Sequence, residues 1–223
     1  MQAVIFDLDG TLLDTLEDIA AAANSALREE GFPEHPLDAY RRFVGNGVAI
    51  LMQRALPESH RQSEQIERCA DRFRDVYRDR WNLRTQLYPG IQELMSELRA
   101  RQLQLGVLSN KPHEFTLQCV ATYFPTDWFT CVFGQREGIP HKPDPAGVHE
   151  ILHHMQVAPE QCLFVGDSAV DMQTACGAGL MAIGVSWGFR SRDELLEHGA
   201  ARIIDHPREL LALIGARNGM PPK

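Results

Sequence analysis

Positive charge is in short supply. Lys and Arg number 22 against 30 Asp and Glu, a formal net charge of −8 over 223 residues. That balance argues against binding a nucleic-acid backbone, which needs basic patches. It leaves room for a small anionic ligand, because one lysine, one metal ion and helix N-termini can supply local positive charge. No run approaches the roughly 20 apolar residues of a membrane span. The N-terminus has no basic segment followed by an apolar one, so no signal peptide is expected. Cysteine is sparse: Cys69, Cys119, Cys131, Cys162 and Cys176, with no C-x-x-C pair. The expectation is reduced, buried thiols in a cytoplasmic protein. None of the nine histidines falls at a convincing zinc spacing. Internal repeats and low-complexity stretches are absent as well.

What is there is a core-forming sequence, 44% hydrophobic, long enough for one large domain or a core with an insertion. Short apolar runs at 3–6, 103–108, 129–133, 161–165 and 181–185 alternate with helical patterns at 91–101, 114–123, 145–155 and 171–178. Near-continuous apolar runs suit strands buried on both faces of a parallel sheet. The alternation reads as an α/β, doubly wound, Rossmann-like core. A weaker strand at 202–204 and a helix near 207–214 extend it, and a frayed tail is expected over 215–223.

One segment breaks the alternation. From residue 16 to 82 no strand is evident, and an all-helical insertion is expected there. Its first helix follows Asp14-Thr15 and ends at Gly31, a second begins near Gly47, and a third spans about 59–81. The expected organisation is therefore a core of 1–15 and 83–223 carrying a cap of 16–82.

In open α/β sheets ligands bind beyond the carboxyl ends of strands. Four polar clusters follow the runs: Asp7-Leu8-Asp9-Gly10-Thr11, Ser109-Asn110-Lys111, His141-Lys142-Pro143 and Gly166-Asp167-Ser168-Ala169-Val170-Asp171. Two carboxylates at the mouth of a buried strand are costly unless a cation neutralises them. Oxygen ligands in this number suit Mg²⁺, with Asp7 and Asp167 as direct ligands. Ser109 and nearby backbone N–H groups can hold phosphate oxygens, and Lys142 adds fixed positive charge. That combination points to phosphoryl transfer. Each cluster taken singly has a plainer reading. Asp7-x-Asp9 is a turn, Ser109 and Ser168 are helix caps, Lys142 is a surface lysine and Asp171 a first-turn charge. Their joint placement at strand ends is what carries the chemistry.

These four clusters, in this order, resemble the motifs of the haloacid dehalogenase-like phosphohydrolases, over about residues 3–215. The insertion is similar to that family's cap. Val44-Gly45-Asn46-Gly47, Ser109-Asn110-Lys111-Pro112 and Phe164-Val165-Gly166-Asp167-Ser168 most resemble its phosphoglycolate phosphatases. The resemblance implies Asp7 as nucleophile and Asp9 as general acid and base, with the Asp9 backbone carbonyl also a metal ligand. It implies Lys142 as the residue holding Asp7, Ser109 as a phosphoryl contact, and Asp167 with Asp171 on Mg²⁺. Thr11, Ser109 and Asn110 are the expected core contacts to substrate. An aspartate at position 9 disfavours carbon–halogen chemistry.

Gly45-Asn46-Gly47 reads equally as a substrate loop or as a link between cap helices. Arg41, Arg42 and Arg54 are candidates for pairing a substrate carboxylate, against the plainer reading of solvated helix charges. His113 and His141 are expected at the surface. The implied reaction is Mg²⁺-dependent hydrolysis of a small phosphorylated acid, 2-phosphoglycolate, by a monomer or homodimer. A phosphomutase or pyrophosphatase of the same fold and a non-catalytic phospholigand-binding protein are the alternatives.

Overall fold

The computed structural model describes the backbone of residues 1–218 and the side chains of 1–215. In chain order the elements are β1 (Ala3–Phe6), β2 (Leu13–Asp14), α1 (Leu16–Glu29), α2 (Leu37–Phe43), α3 (Val48–Ala55), α4 (Ser63–Arg80), β3 (Gln86–Leu87), α5 (Ile91–Ala100) and β4 (Gln104–Pro112). They continue with α6 (His113–Tyr123), β5 (Cys131–Gln135), α7 (Ala146–Met155), β6 (Cys162–Gly166), α8 (Ala169–Gly177), β7 (Met181–Val185), α9 (Arg192–Glu197), β8 (Arg202–Ile204) and α10 (Arg208–Asn218).

Six strands form one sheet in the order β5-β4-β1-β6-β7-β8, every pair parallel. The chain leaves β1 for one side, then returns to build the other. That reversal makes the carboxyl end of β1 the topological switch point, where such sheets open a crevice. Side chains of β1 alternate between layers: Val4 and Phe6 join α5, α6 and α10, whereas Ala3 and Ile5 join α7, α8 and α9. Burial on both faces is what made each run read as apolar throughout.

The helical insertion has its own apolar centre. Ala23, Leu27, Tyr40, Met52, Cys69 and Phe73 pack there, and Phe115 of α6 and Phe189 after β7 join them from the sheet side.

Several boundaries differ from the sequence reading. β4 continues through Ser109-Asn110-Lys111, and β5 begins at Cys131 rather than residue 129. α2 was not expected; its seven residues are too few to show a period. α4 starts at Ser63 rather than 59, because extended backbone at Gln62 separates it from a short turn at Glu58–His60. α9 was also missed, although Ser191 caps it by accepting from the Glu194 N–H at 3.2 Å. β2 and β3 pair antiparallel where the chain enters and leaves the insertion, and at two residues each they are invisible to periodicity.

A frayed tail was expected from Gly215, and helix α10 passes through that residue to Asn218; one glycine costs a helix only about 1 kcal/mol. The rest of that expectation, 219–223, lies outside the described residues. All five cysteines are unpaired, but Cys176 is exposed rather than buried. Among the described residues no helix is long and apolar enough to cross a membrane.

Candidate active site

Strand register delivers the site. Phe6 lies level with Val107 on one side and Val165 on the other. Asp7, Ser109 and Asp167 therefore emerge within two residues of one rung, and the Asp7 N–H still donates to the Val165 carbonyl at 2.9 Å. Lys142 arrives from the loop between β5 and α7, and Asp171 from the first turn of α8.

One carboxylate oxygen from each of Asp7, Asp167 and Asp171 lies within 4.8 Å of the others, all three residues buried. The Lys142 ammonium joins two of them, at 2.9 Å from Asp7 and 2.6 Å from Asp171. Three carboxylates against one ammonium leave uncompensated negative charge. Burial, then repulsion from Asp171, pushes the Asp7 carboxyl up to about 7 despite Lys142. Burial, Asp171 and Asp7 likewise raise Asp167 well above the ordinary carboxylate range, although it accepts the Phe189 N–H at 2.7 Å. A hard divalent cation with oxygen preference fits this donor set and relieves that repulsion.

The capping readings of the fourth cluster hold alongside the charged one. Asp171 closes a capping box with Ser168: its Oδ2 accepts the Ser168 N–H at 3.0 Å and hydroxyl at 2.6 Å. Its other oxygen is thereby turned toward Lys142. One side chain thus starts a helix and completes the acidic cluster.

The remaining expected residues divide. Ser109 is buried, lines the central cavity and accepts the Lys111 N–H at 3.2 Å. Asn110 lines the cavity too and is tied into the fold: its amide donates to the Gly45 and Lys142 carbonyls, each at 3.0 Å, and its Oδ1 accepts the Lys142 N–H at 2.9 Å. It ties the insertion's loop to the Lys142 loop. Thr11 is fully buried and does not line the cavity; its carbonyl accepts from the Trp187 indole at 3.0 Å. Gly45 and Gly47 do line the cavity, with positive φ of 116° and 84°. Asn46 is held by Arg54 at 2.9 Å, and Arg54 also donates to the Phe43 carbonyl at 3.0 Å. Arg54 thereby braces the 45–47 loop, and Arg41 donates to the Gly188 carbonyl at 3.2 Å. His141 is exposed; His113 is half-buried and accepts the Gly134 N–H at 3.1 Å.

Sequence reasoning missed three contributors. Asp9 does not face the acidic cluster alone: the Lys111 ammonium sits 3.0 Å from its Oδ1 and 3.3 Å from its Oδ2. Tyr77 of α4 accepts from Lys111 at 2.7 Å. Arg190 lines the cavity and donates to the Val44 carbonyl at 2.7 Å. Lys111 was visible inside its motif without a role. Tyr77 shows only as one apolar position among Cys69, Phe73 and Tyr77 at helical spacing.

The cavity between insertion and sheet, partly open to solvent, measures about 50 Å³, space for a few water-sized groups at the ~10–15 Å³ one water needs. Asp7, Asp9, Ser109 and Asp167 form its floor, and Ile19, Val44, Leu51 and Phe73 its apolar roof.

The arrangement has counterparts. A family model described as haloacid dehalogenase-like hydrolase matches residues 4–185. A phosphoglycolate phosphatase of Pseudomonas putida is 34% identical over 212 residues, covering 93% of this chain and 78% of its own. A phosphoglycolate phosphatase of Vibrio vulnificus is 30% identical, covering 96% of both. Among solved structures, one from Lactobacillus delbrueckii subsp. bulgaricus, named provisionally as a phosphoglycolate phosphatase, superposes with a TM-score of 0.90 at 33% identity, covering 96% of this chain and 98% of its own.

Proposed function

The chain belongs to the haloacid dehalogenase-like hydrolases, and on that footing we propose that it hydrolyses a small phosphomonoester through a phosphorylated Asp7, with 2-phosphoglycolate as preferred substrate. The observation that carries the reading is the meeting of Asp7, Asp167 and Asp171, with the Lys142 ammonium against Asp7 and Asp171. The relatives named above supply the substrate.

An oxygen of Asp7 attacks phosphorus, and the bond from phosphorus to the substrate's ester oxygen breaks. Asp9 gives that departing oxygen a proton and then takes one from the water that releases phosphate from Asp7. Lys142 holds Asp7 in line and offsets charge gathering on the phosphoryl oxygens, which Ser109 also contacts. Mg²⁺, held by the Asp7, Asp167 and Asp171 carboxylates and the Asp9 carbonyl, supplies further neutralisation of phosphoryl charge when bound. Residues 16–82 act as a cap over a core of 1–15 and 83–223, excluding bulk water. The small cavity and the Gly45–Gly47 backbone suit a leaving group of only a few heavy atoms.

Asp7→Asn tests the covalent step. Turnover of 2-phosphoglycolate should fall by at least ~10³-fold, as removal of a nucleophile does elsewhere; wild-type-like turnover would rule the nucleophile out. A phosphate-ester panel ranked by kcat/KM tests the substrate, and transfer of the phosphoryl group to a second site on a sugar, without phosphate release, would favour a mutase.

A further inference from the structure

Lys111 is a buried cation with no part in the chemistry above, and its surroundings assign it one. An ammonium has three N–H donors. Here it faces three acceptor atoms: Asp9 Oδ1 at 3.0 Å, Asp9 Oδ2 at 3.3 Å and the Tyr77 hydroxyl at 2.7 Å. Its nearest acceptors are thus all atoms of the protein, from two side chains. Burial by itself would lower the Lys111 pKa, but Asp9 and Tyr77 outweigh it and raise it.

Tyr77 is held as firmly as Lys111. Its ring stacks on Phe73 with centroids 5.2 Å apart and meets Phe115 edge-on at the same distance. The Lys111 nitrogen also lies 4.7 Å from the Tyr77 ring centroid. The three members come from different places: Asp9 from the loop after β1, Lys111 from β4, Tyr77 from α4 of the insertion. Lys111 and Asp9 are 102 positions apart, Lys111 and Tyr77 34. Only a seated insertion completes the set.

We propose that Lys111 and Tyr77 are positioning residues for Asp9: the Tyr77 hydroxyl, delivered by the seated cap, holds the Lys111 ammonium, which holds the Asp9 carboxylate in its working orientation. The inference rests on the assignment of Asp9 as acid and base. A proton-transfer group that points even slightly wrong forfeits rate rather than affinity. The link therefore makes turnover, and not substrate binding, depend on the cap being in place. Without the Tyr77 hydroxyl one ammonium N–H loses its acceptor, and Lys111 is free to turn away from Asp9.

The test is a double-variant cycle read as kcat and KM on 2-phosphoglycolate, with an aryl phosphate as second substrate. Tyr77→Phe keeps the stacked ring and removes only the hydroxyl. It should lower kcat about tenfold and leave KM within about twofold. Lys111→Met should lower kcat about a hundredfold. The double variant should be no slower than Lys111→Met alone, because both changes break one chain of contacts. Should Lys111→Met fail to fold, Asp9→Asn takes its place in the cycle on the same terms. The proposal is overturned if Tyr77→Phe keeps wild-type kcat or if the two losses multiply. A larger rise in KM, whatever kcat does, also overturns it by making the pair substrate contacts. Wild-type turnover of the esters tests the phosphatase reading; the ratios among variants test this one.

Discussion

A methyl group is more than the acidic cluster can admit at three places. A Cβ on Gly188 would lie 2.2 Å from the Asp167 Cβ and 2.6 Å from the Gly10 carbonyl; one on Gly10 would lie 2.3 Å from Asp167 Oδ2; one on Gly166 would lie 2.3 Å from the Asp171 Cβ. Gly10 also has φ +87°, where an L side chain is strained in any case. These glycines let backbone close in on carboxylates that must converge. Gly188→Ala should therefore push Asp167 aside. Mg²⁺-dependent turnover should drop about tenfold or more, with a raised Mg²⁺ requirement, measured by titrating the ion against initial rate. Gly10 and Gly166 stand beside motif aspartates and were readable as turn residues. Gly188 lies 21 positions beyond Asp167 and carried no such sign.

Between elements, one carboxylate gathers several of the bonds at the passage from sheet to insertion. Asp18, buried in the first turn of α1, accepts the Arg84 N–H at 2.9 Å, the Thr85 N–H at 2.8 Å and the Thr85 hydroxyl at 2.7 Å. Tyr123 of α6 donates to the Thr85 carbonyl at 2.6 Å. The returning strand of chain is thus clasped by α1 on one side and the sheet layer on the other, beside the β2–β3 ribbon. Asp18→Ala leaves the Arg84 and Thr85 N–H groups without their acceptor, while the Thr85 hydroxyl keeps the Trp81 carbonyl at 3.0 Å. A loss of roughly 2–4 kcal/mol is expected. It should appear as a fall in thermal midpoint of several degrees, at roughly 2–4 °C per kcal/mol for a chain of this size. The helices α1 and α4 were legible from their apolar spacing. This clasp was not, because Asp18 at the start of a helix looks like an ordinary favourable charge near its N-terminus.

At the level of the whole molecule, stability is coupled to pH and metal through the same buried charge. The Asp7 carboxyl has its pKa raised in the folded state to about 7, from 3.8. A raised acid favours the folded state only while protonated. Stability is therefore lost as pH climbs from about 4 through about 7, and the deficit, on the order of a few kcal/mol, is complete above that window. Lys142, also raised, retains its charge throughout this window and does not reverse the trend. A bound divalent cation removes the repulsion that causes the deficit. Added Mg²⁺ should consequently raise the thermal midpoint more at about pH 8 than at about pH 5, and much less in Asp7→Asn. An equal gain at both pH values, or one unchanged in the variant, would place the ion elsewhere. The closed arrangement is held across the interface by Asn110 to Gly45, Arg190 to Val44, Arg41 to Gly188 and Lys111 to Tyr77. None of these pairs is close in sequence.

That separation divides what the chain's letters determined from what its folding decided. Strand, helix and the carboxylate-bearing turns after them are local: burial on both faces makes β1 and β6 apolar throughout, and Asp7 and Asp167 stand where those runs stop. So the parallel sheet, the helical insertion and the core motif residues were readable in order. The meeting of Asp7, Asp167, Asp171 and Lys142 was inferred from that order; strand register places the first two, and the first turn of α8 and the loop before α7 bring the others to them. The engagement of Asn110 with the two loops, the bracing of Asn46 by Arg54 and the Tyr77–Lys111–Asp9 chain were decided only in three dimensions. Their partners are brought together by the packing of the insertion on the sheet, and no spacing along the chain encodes which buried donor will meet which acceptor across that interface.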